Sequence, residues 1–164
     1  MKKNWLKLGL ITLAFQISFV SCKEETTKEN METNEISFEK EGELYLIKNS
    51  GDTIQKLDIE FARTPYEIET GLMYRDGMED NQGMLFVYNY SSQHGFWMKN
   101  TYFPLDIIYF DADSTLVNIQ ANAEPRSETS LPSDGPAQFV LEINGGLSEK
   151  WNLEKGDKIS FEEL

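Results

Sequence analysis

The sequence predicts a mainly β domain of the α+β kind: a small barrel-like sheet of antiparallel or mixed strands carrying one clear α-helix. Three observations point there. Short alternating or wholly apolar runs recur at regular spacing beyond residue 41, divided by Gly-, Asn- and Asp-rich turns. One segment, opening at Thr64, combines a helix start signal with a helical apolar face. The strand-helix alternation of a doubly wound sheet is missing from the pattern. About seven strands in a domain of ordinary size suit a closed or half-closed barrel.

Glu43–Ile47 and Thr53–Ala62 flank a KNSGD turn, and in the second run Leu57, Ile59 and Phe61 alternate with Asp58, Glu60 and Ala62. That pair reads as a half-buried hairpin. Thr64 is a good N-cap, Pro65 suits the first helical position, and Glu67 completes a capping box. The helix is expected over Pro65–Tyr74, with Ile68, Leu72 and Met73 on its apolar side, Gly71 permitting close approach and Gly77 ending it. Gly83–Tyr88 is nearly all apolar and predicts a central strand. Leu105–Phe110 and Leu116–Gln120 predict a hairpin around a DADS turn. Gln138–Ile143 alternates and ends in an Asn-Gly-Gly turn; a short helix near Leu147–Asn152 and a last strand at Lys158–Phe161 follow.

The N-terminus supplies an address. Lys2, Lys3 and Lys7 precede an apolar run from Leu8 to Val20, whose 13 residues fall short of the roughly 20 needed to span a bilayer. Residues 1–21 therefore read as a signal peptide. Phe19-Val20-Ser21-Cys22 resembles the lipobox of bacterial lipoproteins, with Phe19 where leucine is usual, and Cys22 is the sole cysteine. No internal disulfide is possible, and Cys22 is the expected lipid attachment site. Several acyl chains at about 0.8 kcal/mol per CH2 make such an anchor effectively permanent. Lys23-Glu24-Glu25 lacks the aspartate that signals inner-membrane retention and resembles an outer-surface tag. The expectation is an outer-membrane lipoprotein with a periplasmic or surface-exposed domain. Residues 22–40 form a polar tether reaching on the order of 20 to 25 Å, and residues 41–164 form the folded domain.

The formal net charge is −13, and without residues 1–21 there are 12 basic against 28 acidic groups, a net of −16. A polyanion is repelled by such a surface, so no nucleic-acid partner is expected. The domain is expected to be a monomer whose membrane contact is the lipid.

The order FARTPYEIETGLMYR, GMLFVY, FWMKNTYFPLDIIYFDAD, VLEINGG and KGDKI resembles the DUF192 (UPF0127) family from about Asp58 to the C-terminus. The resemblance implies a mainly β fold with one helix, commonly exported or membrane-tethered, and no assigned activity. Its motif residues correspond here to Gly71, Leu72, Met73, Arg75, Met84, Trp97, Met98, Lys99, Asn100, Thr101, Pro104, Asp106, Glu142 and Gly146.

Asp106 interrupts an otherwise apolar strand, so it is expected to be enclosed, and an enclosed carboxylate needs a cation or several N–H donors. Arg75, with its planar fork, is the first candidate partner and Lys99 the second. Glu142 raises the same question on its own strand. A network that only locks a strand corner is one reading. A binding pocket for a small polar ligand, or for a glycan or peptide end, is another, with Trp97 as an apolar wall and Arg75, Met84, Lys99, Asn100, Thr101, Asp106 and Glu142 around it. The third is a glycan-directed envelope hydrolase using Asp106 and Glu142 as a carboxylate pair. The binding or accessory module is preferred. His94 is the only histidine and reads as a solvated loop residue, which disfavours a Ser-His-Asp triad and zinc. Met73, Met78, Met84 and Met98 with His94 raise copper(I), although methionine is usually core filler. No cofactor or metal is expected.

Overall fold

The structure is a computed structural model and describes residues 36–164; the expected signal peptide, Cys22 and the tether up to residue 35 lie outside the described residues. In chain order the elements are β1 (Gly42–Ile47), β2 (Thr53–Ala62), α1 (Pro65–Thr70), β3 (Gln82–Ser92), β4 (Gly95–Phe96), β5 (Leu105–Phe110), β6 (Leu116–Ala123), β7 (Leu131–Pro132), β8 (Ala137–Asn144), α2 (Leu147–Lys150) and β9 (Lys158–Glu163). Seven of the strands form one sheet in the order β6-β5-β8-β3-β2-β1-β9, and β4 pairs with β7 in a separate ribbon. Both expected hairpins, β1-β2 and β5-β6, are present. The apolar run of β3 is the central strand, paired parallel to β2 and antiparallel to β8. None of the helices among the described residues is long and apolar enough to cross a membrane.

The mainly β expectation holds, but the barrel does not close. The sheet curls round a core of Leu44, Leu57, Ile59, Leu85, Ile108, Phe110, Leu141, Ile143 and Ile159. Its edge strands β6 and β9 are joined by the isolated bridge Thr115↔Lys158. Leu147, Leu153 and Trp151, in and beyond α2, pack on the same core. A second apolar cluster covers the opposite face: Met84, Phe86, Leu105, Ile107, Tyr109 and Val140 from the sheet meet Leu72 and Met98 from the connections.

The α1 helix is shorter than its apolar pattern suggests. The Thr64–Glu67 capping box forms as expected, but the helix ends at Thr70 because Gly71 leaves helical geometry at φ 48 and ψ −129. A Cβ at residue 71 would also stand 2.9 Å from the Phe86 ring, so this turn requires glycine. Close approach at Gly71 is thus borne out, with Phe86 as the neighbour.

Asp106 is fully buried, yet among the described residues no cation pairs with it. Its Oδ1 accepts the Asn122 N–H at 2.6 Å and the Gly146 N–H at 2.9 Å, and its Oδ2 accepts the Ser148 N–H at 2.7 Å. The expected pairing with Arg75 or Lys99 is therefore corrected. Gly146, the N-cap of α2, sits at φ 86 and has no side chain to accept the first free amides of the helix. Asp106 reaches across from β5 and does so in its place.

Replacing Asp106 with alanine leaves three amides without their acceptor. Because an unsatisfied buried donor costs roughly 1–3 kcal/mol, Asp106→Ala is expected to lose about 3 kcal/mol or more in urea denaturation. An unchanged midpoint and slope would show that these amides find other partners.

Candidate functional site

Strand parity separates the two carboxyls that the sequence suggested as a pair. Across β5 and β8, Asp106 stands opposite Ile143 and Ile107 opposite Glu142. Opposed residues share a face and consecutive residues do not, so Asp106 points into the Ile143 core while Glu142 points into the Ile107 cluster. The two cannot flank one substrate, so Asp106 and Glu142 do not form a hydrolase pair.

The partner of Glu142 lies on another strand. Met84 is opposed to Glu142 on β8 and to Glu60 on β2. Glu60, Met84 and Glu142 therefore form a row on one face, with the two glutamate backbones about 10 Å apart at ordinary strand spacing. Glu60 and Glu142 are 7% and 5% exposed, respectively. Arg75, which follows α1, donates from Nη1 to Glu60 Oε2 at 2.6 Å, and the other oxygen of Glu60 accepts the Glu39 N–H at 3.0 Å. Thus residue 39, within the expected tether, is bound to the domain. Arg75 Nε and Glu142 Oε2 are both buried with no hydrogen-bond partner among the described residues.

Burial pushes the Glu142 carboxyl up to about 8, against the opposing pull of the Arg75 charge. It is largely a neutral acid at pH 7, able to donate as well as accept. Burial and, secondarily, the Glu142 charge also raise the Tyr88 hydroxyl to about 12. The Tyr109 hydroxyl moves in the same direction, for burial first and Glu142 second, and donates to the Leu131 carbonyl at 2.5 Å.

Glu142 lines a recess of about 220 Å³ between the end of α1 and the segment around β4. Ile68, Leu72 and Met73 form one side; Phe86, Tyr88, Phe96 and Trp97 form the aromatic remainder, with Thr101 also in the lining. Phe96 is held in place by edge contacts to Phe86 and Tyr109, with ring centroids 4.9 and 6.0 Å apart. A neighbouring recess lined by Glu60, Arg75 and Met84 shares Thr70 and Gly71 with the first.

The remaining sequence candidates have definite places. Trp97 is 46% exposed at the rim. Lys99 sits with Nζ 5.2 Å from the centre of the Trp97 ring, on the indole and away from Asp106. Asn100, at φ 57, accepts the Tyr74 N–H through its carbonyl at 2.9 Å and donates from Nδ2 to Tyr74 Oη at 2.8 Å. His94 is half-buried rather than freely solvated. Its ring stacks on Tyr88 at 3.7 Å with Nε2 3.1 Å from the Ala137 carbonyl, and burial lowers its pKa. Glu60 is the residue that sequence reasoning missed. The alternation along Thr53–Ala62 puts it on the polar side of a half-buried hairpin, but β2 lies inside the sheet between β1 and β3 and is covered on both faces at Glu60 and Ala62.

The Glu142 shift has a consequence for stability. The fold accepts the neutral acid, so this group's favourable contribution is complete below its ordinary value of 4.5 and is lost by about pH 8. Wild-type stability is expected to fall by a few kcal/mol across that window through this group, and Glu142→Gln to flatten the decline. Urea denaturation at pH 5 and pH 8.5 for both chains measures the difference; parallel profiles would contradict it.

A family model described as "Uncharacterized ACR" and named DUF192 matches residues 46–161. Among solved structures, a protein of unknown function from Novosphingobium aromaticivorans DSM 12444 is 42% identical, with a TM-score of 0.68 over 72% of this chain and 83% of that one. A proposed transcription regulator from Sinorhizobium meliloti 1021 is 39% identical, with a TM-score of 0.71 over 77% of this chain and 97% of that one. No curated protein matches. The match over most of the strands and through both recess walls makes this chain a member of the DUF192 family.

Proposed function

We propose that this protein is a lipid-anchored envelope protein whose domain binds a small ligand in the recess above Glu142. The observation that carries the reading is the Glu142 carboxyl, 5% exposed, which lines a recess otherwise rich in aromatic side chains and whose Oε2 has no hydrogen-bond partner among the described residues. Apolar walls with one or two polar groups are what orient a small ligand. Trp97 at the rim offers a flat face to a ring or chain, and Glu142 fixes a polar end.

The anchor rests on Cys22, the lysine-flanked apolar run before it and the polar stretch after it. Outer-membrane residence rests on Lys23-Glu24-Glu25 in place of a retention aspartate. Catalysis is the weaker reading. Glu60 and Glu142 do share a face, but Glu60 is bound by Arg75 and the Glu39 amide. The regulator description of the Sinorhizobium relative is not adopted, because a net charge of −13 opposes contact with DNA.

Two measurements test the proposal. Metabolic labelling with a fatty acid should mark the wild-type chain and leave Cys22→Ala unmarked and released from the membrane fraction. A thermal-shift screen of small polar and amphipathic compounds should give hits that Trp97→Ala weakens by about 1 kcal/mol or more. Hits insensitive to Trp97→Ala and Glu142→Gln would place binding elsewhere.

A further inference from the structure

We propose that the recess takes the ammonium group of an amine, held against the Glu142 carboxylate and the faces of its aromatic walls. This rests on reading the recess as a ligand site and adds the chemical class of what it binds.

The argument begins with charge. The buried row brings two carboxyls, Glu60 and Glu142, together with one cation, Arg75. Arg75 is paired with Glu60 at 2.6 Å, so among the described residues an ionised Glu142 has no ion-pair partner and no donor on Oε2. The Tyr88 and Tyr109 hydroxyls, which the Glu142 charge raises, supply no positive charge. One positive charge is wanting, and it can arrive as a proton or on a ligand. An ammonium group brings the charge together with N–H donors for the orphaned oxygen.

The walls fit the same chemistry. Phe86, Tyr88, Phe96 and Trp97 line the recess, and aromatic rings attract a cation more strongly where water is excluded. The indole of Trp97 already holds an ammonium, that of Lys99, 5.2 Å from its centre. Beyond the walls, Glu69 lines the recess, and Glu39, Glu41 and Glu67 line the neighbouring one. An anionic ligand would face these acids, and Arg75, although its Nε has no partner among the described residues, is already neutralised by Glu60. A neutral ligand would leave Glu142 as the protonated acid. Only a cation displaces that proton, releasing it to solvent as the carboxylate pairs with the ammonium.

The amine could be free or the side chain of a lysine, and probes can tell these apart. Calorimetric titration of the full chain at pH 7 with n-butylammonium, Nα-acetyl-lysine amide, 1-butanol and butyrate compares charge at similar size. Both amines are expected to bind, the alcohol and the acid not. The heat should vary with the ionisation enthalpy of the buffer, because a proton is released. A lysine amide stronger than butylammonium would identify a peptide side chain as the source; the reverse order, a free amine. Glu142→Gln should weaken the amines by about tenfold or more, and Trp97→Ala by a smaller factor. Equal binding of 1-butanol, or amine binding unchanged in Glu142→Gln, would overturn the ammonium assignment while leaving a ligand pocket in place. No binding by amines, with hits for other compounds in the thermal-shift screen, would overturn it likewise; no binding by any compound would remove the pocket reading too.

Discussion

A pleated strand turns successive side chains to opposite faces, and this parity across β5 and β8 determines what the two buried carboxyls can do. Asp106 and Glu142 are neighbours in the ladder, one position out of register. One faces the curled interior with Ile143, the other the cluster with Ile107. The sheet itself stands between them, so they belong to different problems. Asp106 organises the end of the fold, and Glu142 is left to the recess.

The contrast between them lies in the donors each can reach. Asp106 receives three backbone amides, which are fixed by the chain and need no flexible side chain to be ordered. Amides around a carboxylate can replace a cation, and at the start of α2 the carboxylate in turn satisfies amides that the helix leaves free. Glu142 has no such cage. Arg75, the charge that pulls on it, is drawn to Glu60, leaving both Arg75 Nε and Glu142 Oε2 without a partner among the described residues. An arrangement of this kind opposes folding, and the two extensive apolar clusters on either side of the sheet must offset it.

Period and turn chemistry made most of the fold legible. The Thr53–Ala62 and Leu105–Phe110 strands stand at their expected bounds, since alternation and flanking Gly and Asp residues are local signals. The Asp111–Ser114 turn also forms as read, with Asp111 Oδ1 accepting the amides of Asp113 and Thr115 at 2.9 Å. The site was legible only in its members. Trp97, Thr101 and Glu142 do line one recess. Which cation served which acid was not readable, because that depends on strand order: β8 lies between β5 and β3, and β2 is internal. Only this order buries Glu60 and gives it Arg75. The two-residue strands β4 and β7 were also missed; so short a run carries no period.

The LysAsnThr corner shows how a residue read as a ligand contact can matter in another way. Gly71 ends α1 and brings the chain down on Phe86, after which Tyr74 adopts φ 65. The Tyr74 amide and hydroxyl then meet the carbonyl and side-chain amide of Asn100. Asn100 itself needs a left-handed backbone to offer both, a conformation asparagine tolerates better than most residues. Thr101, buried, continues the turn by donating its amide to the Met98 carbonyl at 3.0 Å. The helix end and the Trp97 segment are thereby laced together, and these are the two sides of the recess over Glu142. Asn100 therefore acts on the site through the width of the recess, while contact with what enters it falls to Trp97 and Glu142.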